Sequence, residues 1–193
     1  LLALGRQDTA PYDVPHVDGS VTGARPVDDG LSITVASGEE FIVRRLILAT
    51  GVTDELPAVP GLADHWGTQV LHCPYCHGWE VRGQRIVVLA TTPMAAHQAF
   101  LFGHLAGELT VVGPSVDEIE ADTRRQLEAL GYRLISTPVD HIESEDGRLA
   151  GVALTDGSIL PADAVTVAPR SVARADVFIG LGGELEEHPM GGL

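Results

Sequence analysis

From residue 84 to residue 135 the apolar pattern switches repeatedly between two periods. Residues 84–90 hold a continuous apolar run, Arg85-Ile86-Val87-Val88-Leu89, of the length of a buried strand. Residues 94–105 follow with the composition of an apolar helix, and Leu109-Thr110-Val111-Val112 is a second strand. Residues 115–130 read as one amphipathic helix, opened by the capping-box pattern Ser115-Val116-Asp117-Glu118 and closed by Gly131 at C′. Residues 132–135 supply a third strand. Strand, helix, strand, helix, strand restricts the chain to an α/β fold with a parallel sheet and crossover helices, the Rossmann-like three-layer arrangement.

The flanks read differently. Val14-Pro15-His16-Val17, residues 19–24, Leu31-Ser32-Ile33-Thr34-Val35 and Glu40-Phe41-Ile42-Val43 form a meander of short strands, with Asp28-Asp29-Gly30 as a hairpin signal. Arg45-Leu46-Ile47-Leu48-Ala49 reads as a buried strand ending at Thr50-Gly51, where glycine permits close approach of a ligand. Residues 52–66, with Pro57, Pro60 and Gly61, read as a linker. Beyond residue 138, strands at 139–143, 149–155 and 158–160 turn at Asp146-Gly147 and Asp156-Gly157, and Ala164-Val165-Thr166-Val167-Ala168 returns to the sheet. This second meander echoes the first. Residues 169–193 read as loop-rich and as the start of a return to the first unit. The expected organisation is 1–54, 55–168 and 169–193.

Two cysteines occur in 193 residues, and both lie in His72-Cys73-Pro74-Tyr75-Cys76-His77-Gly78-Trp79-Glu80. Cys-x-x-Cys lets two sulfurs meet across one turn, the geometry of a reversible disulfide. The same residues admit other chemistries. Cys-x-x-Cys-His is a haem-attachment pattern, His72, Cys73, Cys76 and His77 are possible zinc ligands, and two buried inert cysteines are the plainest reading. His97 and His104 read as helix-face residues; His16, His65, His141 and His188 have no neighbouring signal.

Twelve basic residues face 27 acidic ones, a net charge of −15. Arg124-Arg125 is embedded among acids, so nucleic-acid binding is not expected. No apolar stretch reaches the roughly 20 residues that span a bilayer, and Leu1-Leu2-Ala3-Leu4-Gly5 lacks the flanks of a signal peptide. Two cysteines cannot frame a secreted mini-protein, which points to a reducing, cytoplasmic compartment.

The order of these motifs carries a resemblance. Ile47-Leu48-Ala49-Thr50-Gly51, a proline-containing connection, Cys73-Pro74-Tyr75-Cys76-His77-Gly78-Trp79-Glu80 and then a strand–helix unit resemble the thioredoxin reductase-like flavoproteins among the FAD-dependent pyridine nucleotide–disulfide oxidoreductases. The Cys-Pro-Tyr-Cys-His-Gly variant is most similar to the branch that includes gliotoxin-type dithiol oxidases. The resemblance implies a β-meander from an incomplete FAD domain joined to an NAD(P)-binding-like domain. It implies that Cys76 faces the flavin, that Cys73 exchanges with the substrate, and that His77 stands where relatives carry a proton-transferring Asp. Thr50 and Gly51 would lie beside FAD, and Val21 and Thr22 by its adenine. A small-molecule dithiol or disulfide, or a thioredoxin-like protein, is the implied partner, and a homodimer the implied full-length assembly.

Three departures from that pattern shape the expectation. A Gly-x-Gly-x-x-Gly segment would precede Leu1 and a Gly-Asp segment would follow Leu193, so the sequence reads as a piece of a larger protein, without FAD or activity of its own. The third is internal. Residues 90–96, Ala-Thr-Thr-Pro-Met-Ala-Ala, have no glycine to admit a pyrophosphate to a helix N-terminus. After the next strand, Gly113-Pro114-Ser115-Val116-Asp117-Glu118 offers carboxylates where a 2′-phosphate needs cations. NADPH binding is therefore doubtful. A dithiol oxidase, an NADPH-driven reductase and a redox-sensing or zinc-binding module remain the three expectations.

Overall fold

A computed structural model describes residues 2–186. Its chain divides into two units, Leu1–Thr53 with Val172–Leu193, and Asp54–Ser171.

The first unit opens with an exposed helix α1 (Leu2–Thr9). Three strands follow, β1 (Val21–Val27), β2 (Gly30–Val35) and β3 (Glu40–Val43), in an antiparallel sheet of order β1-β2-β3. The Asp28-Asp29-Gly30 signal marks the β1–β2 hairpin, with Val27 opposite Gly30. Two strand expectations fail here. Residues 14–17 are irregular. Residues 45–49 are also irregular, and Ile47 is 88% exposed. An apolar run becomes a strand only beside a strand that takes its backbone hydrogen bonds. Among the described residues β3 pairs with β2, and nothing pairs with 45–49. The stretch expected as a linker begins with strand β4 (Val52–Glu55).

In the second unit that stretch is partly core. Leu62 is 1% exposed, and Leu56, Val59 and Trp66 pack around it. His65 is a buried histidine whose Nε2 lies 2.7 Å from Ser144 Oγ. Then come β5 (Val70–Leu71), the short helix α2 (Pro74–His77), β6 (Arg85–Leu89), α3 (Ala95–Gly103), β7 (Glu108–Val112), α4 (Ala121–Ala129) and β8 (Arg133–Ile135). An antiparallel meander of β9 (Val139–Glu145), β10 (Arg148–Leu154) and β11 (Ile159–Pro161) precedes β12 (Ala164–Thr166). The sheet order is β5-β12-β6-β7-β8, all parallel. Alternation along the strands divides the core in two. Leu71, Ile86, Val88, Leu109, Val111 and Ala164 face α3, where Ala95, Ala96 and Ala99 let the helix approach closely and Phe102 fills the space. Val70, Val87, Leu89, Val112 and Val165 face the meander residues Ile142, Leu149, Val152, Leu154 and Leu160. Helix layer, parallel sheet and meander give the expected three-layer α/β unit.

The helix expected over 115–130 is broken. Residues Pro114–Glu118 form a 3-10 turn, and Ile119 and Glu120 are extended before α4 starts. Ile119, at the break, lies in the α3-side core with Val116 and Leu127. Ser115 Oγ donates to Glu118 Oε1 at 3.4 Å, so the pair interacts without capping a long helix. The other end is as expected. Gly131 has φ +83°, its N–H reaches the Glu128 carbonyl, and Tyr132 N–H reaches that of Leu127, the double bond of a Schellman cap.

Residues after 168 are more regular than a loop. Strand β13 (Arg170–Ala173) pairs with β4, and helix α5 (Asp176–Gly180) packs on β1 in the first unit. His188 and residues 190–193 lie outside the described residues.

Candidate redox-active site

The two buried residues of β5 deliver the chain to His72 at the C-terminal edge of the parallel sheet. Cys73 then occupies the N-cap of α2 in an extended conformation, φ −107° and ψ 118°. Pro74 follows at N1, where a missing N–H costs nothing and a fixed φ suits the helix. The Cys73 carbonyl accepts from Cys76 N–H at 3.3 Å and His77 N–H at 3.2 Å. Gly78 ends the helix, its N–H donating to the Pro74 carbonyl at 2.8 Å. A Cβ on Gly78 would collide with the Pro74 carbonyl oxygen and Leu105 Cδ1, so the tight return requires glycine.

Both cysteines are free, Cys73 half-buried and Cys76 exposed. The two thiols influence one another, and asymmetrically. Interaction with the Cys76 side chain lowers the Cys73 pKa against an opposing effect of burial, and the N–H groups of Cys76 and Tyr75 act in the same direction. The same interaction raises the Cys76 pKa, with desolvation and repulsion from the Cys73 charge in the same direction. The pair therefore titrates as a unit, with Cys73 shifted down and Cys76 up. His77 is exposed beside them, and its imidazole has no hydrogen-bond partner among the described residues. Tyr75 and Trp79 are 87% and 68% exposed. The Arg82 guanidinium sits 4.1 Å from the Trp79 ring centre and donates to the Trp79 carbonyl at 2.6 Å.

One contact was not anticipated from the sequence. Gln98 Nε2, on α3, donates to the His72 carbonyl at 3.3 Å. The available signal was an amide set among Ala95, Ala99 and Phe102 on the core-facing stripe of α3.

The remaining candidate residues lie in the first unit. Thr50 Oγ1 donates to the Arg174 carbonyl at 2.7 Å, and Arg174 N–H donates to the Gly51 carbonyl at 3.0 Å. Gly51 has φ +70°, and nothing stands within 4 Å of where a Cβ would be. Val21 and Thr22 begin β1, and Thr22 Oγ1 donates to the Thr34 carbonyl at 3.3 Å. No hydrogen bond joins this pair to Thr50 or Gly51 among the described residues. Both threonine hydroxyls donate to carbonyls, and the backbone at Gly51 is open.

The connection between β6 and α3 is a tight turn without glycine, followed by a helix whose first N–H groups bond back to it. Thr91 N–H donates to Leu89 O, Ala95 N–H to Thr92 O, Ala96 N–H to Pro93 O and His97 N–H to Met94 O, at 3.0–3.2 Å. A Cβ on Gly113 would lie 2.7 Å from the Ala90 carbonyl, so the β7 turn presses against the end of β6. A cavity of about 310 Å³ at this edge is lined by Val59, Leu89, Val112, Pro114, Pro138 and Val139 among others, with no charged side chain. Arg124, the nearest cation to Asp117, is committed to it at 3.5 Å and to the Val116 carbonyl at 2.6 Å. These residues do not fit a dinucleotide pyrophosphate. Among the described residues no three His, Cys, Asp or Glu side chains converge as a metal cage.

No family model matches the chain. Relatives do. It is 34% identical over 174 residues to thioredoxin reductase sirT of Leptosphaeria maculans, covering 83% of this chain and 53% of that one. It is 35% identical over 192 residues to thioredoxin reductase aclD of Aspergillus oryzae, covering 95% and 60%. The crystal structure of HlmI superposes with TM-score 0.84 at 34% identity, over 98% of this chain and 60% of that chain. The crystal structure of an oxidoreductase from Agrobacterium tumefaciens gives 0.87 at 36%, over 98% and 63%. The chain thus spans a little over half the length of the curated relatives it matches.

Proposed function

Because the chain belongs to the thioredoxin reductase-like oxidoreductases, we propose that the whole protein is an FAD-dependent thiol–disulfide oxidoreductase that oxidises a small-molecule dithiol through Cys73 and Cys76. The observation that carries this reading is the geometry of Cys73 and Cys76, both free, flanking the first turn of α2, with the Cys76 N–H bonded to the Cys73 carbonyl and both side chains within reach of solvent.

In the working direction the oxidised pair is a Cys73–Cys76 disulfide. One substrate thiolate attacks the Cys73 sulfur, forming a mixed disulfide and releasing Cys76 as thiolate. The second substrate thiolate attacks the substrate sulfur of that mixed disulfide, closing the substrate disulfide and releasing Cys73. Two electrons and two protons have then left the substrate, and the pair is a dithiol. A depressed Cys73 is the better leaving group for the second step. His77, an exposed imidazole next to Cys76, takes and returns the proton at that sulfur. FAD, when bound, accepts the two electrons and passes them to oxygen or another acceptor. Thr50 and Gly51 would hold its ring system, and Val21 and Thr22 its adenine end.

The first unit is in this reading part of an FAD domain, and the second a nicotinamide-domain fold whose dinucleotide loop no longer serves. The protein works in the cytoplasm, as a homodimer when full length; no helix of the described residues is long and apolar enough to cross a membrane. The names of its relatives favour a second reading, an NADPH-driven reductase acting on a thioredoxin-like protein. Anaerobic titration of the full-length flavoprotein separates the two. Bleaching of the flavin by a dithiol and not by NADPH is expected. Rapid bleaching by stoichiometric NADPH overturns the proposal in favour of the reductase.

A further inference from the structure

Two buried polar atoms near the redox pair lack partners, Gln98 Oε1 and Thr166 Oγ1. Gln98 is 6% exposed and Thr166 fully buried. Thr166 lies between Leu71 of β5 and Val88 of β6 in the sheet, and strand alternation puts its side chain with Ala164 on the α3 face. Both orphans therefore occupy the same face of the sheet, at the edge where β5 hands the chain to His72. Native cores rarely keep unpaired polar groups, and those kept call for an explanation. Gln98 is the more telling, because only half of its amide is used. Its Nε2 holds the His72 carbonyl, and methionine would fill the same volume without a polar atom.

The His72–Cys73 peptide is planar, so fixing the direction of its carbonyl fixes the Cys73 nitrogen and the axis about which Cys73 turns. Cys73 sits at the N-cap, where its sulfur direction follows that axis. We propose that Gln98 is a positioning residue for the redox pair, holding the peptide ahead of Cys73 so that the Cys73 side chain keeps its direction at the start of α2. It touches neither sulfur and acts through His72. The assignment rests on the reading of Cys73 and Cys76 as a redox pair.

The test is the pH profile of Cys73 alkylation by iodoacetamide in the reduced chain, resolved by peptide mass, for wild type and Gln98→Met. A Cys73 whose direction is no longer held loses the surroundings that lower its pKa. The midpoint should move up, and alkylation near neutral pH should slow by roughly threefold to tenfold, corresponding to about half to one unit. A purely structural role would lower the melting temperature and leave the profile in place, and that result overturns the proposal. Should Gln98→Met not fold, the Gln98 side-chain amide signal in the NMR spectrum of wild type decides. A shift between dithiol and disulfide states supports the assignment, and identical signals in both states overturn it. Two free thiols persisting under oxidation overturn the redox reading and this proposal with it; a redox-active pair with an unshifted profile overturns this proposal alone.

Discussion

Arg85 grips Asp163 three times. Nε and Nη2 donate to the two carboxylate oxygens at 2.9 and 2.6 Å, and the backbone N–H of Arg85 donates to Oδ2 at 3.0 Å. The contact pins the start of β6 to the residue before β12, two strands that pair in parallel in the middle of the sheet. The guanidinium bonds hold the Asp163 pKa at about 2. A depressed carboxylate contributes stability above its unfolded value and loses it as pH falls through the folded one. The melting temperature of wild type should therefore exceed that of Asp163→Asn at neutral pH, with the gap closing below pH 4 and vanishing near pH 2 (about the unfolded and folded values). A gap independent of pH would contradict the assignment. His141, between Asp140 and Glu143, has its pKa raised by both, so its contribution runs the other way: present at acid pH and lost as pH rises through the raised value.

Helix α4 hangs on one side chain. Leu127 is its only buried residue, completely enclosed in the α3-side core. Leu127→Ala should cost about 2–5 kcal/mol in urea unfolding, whereas Glu128→Ala, one position on and exposed, should change little. Equal costs at the two positions would mean that α4 is not held through Leu127.

Gly78→Ala places a methyl group against the Pro74 carbonyl and Leu105. Either the turn after Cys76 opens or Leu105 moves. A loss of about 1–3 kcal/mol is expected from overpacking, together with slower closure of the Cys73–Cys76 disulfide. Wild-type closure kinetics in the alanine variant would show that the turn has slack that the geometry does not suggest.

Much of this was readable in the residues. The parallel strands β6 and β7 announced themselves as continuous apolar runs, Asp28-Asp29-Gly30 as a hairpin and Gly131 as a helix stop, because each signal is local and has one physical cause. The failures have causes that are not local. Residues 45–49 have the composition of a buried strand, but composition does not supply the neighbouring strand. The periodicity of 115–130 hides the break at Ile119 because Ile119 is apolar in either geometry, and only the core decides which way it turns. At the site, Cys73 and Cys76 came from their spacing, and His77 from the resemblance. Gln98 did not, since its partner is a backbone carbonyl 26 residues earlier in the chain.

The loop after β6 makes a prediction for the full-length protein. With Thr91 N–H bonded back to Leu89 and Pro93 lacking an N–H, affinity for NADH or NADPH should be negligible by equilibrium dialysis. Replacing Thr91 and Pro93 by glycine should raise it only weakly, since Asp117 and Glu118 remain near the 2′-phosphate position. Tight NADPH binding by the unaltered loop would show that it opens.

The central claim is that Cys73 and Cys76 exchange electrons as a pair, and equilibrium with glutathione buffers of graded potential tests it most directly. Thiols are trapped at each potential, and the peptide holding both cysteines is weighed. The account predicts a single two-electron transition in which both thiols disappear together and the unlabelled peptide is lighter by two hydrogens. Two free thiols surviving prolonged exposure to the most oxidising buffer would contradict it.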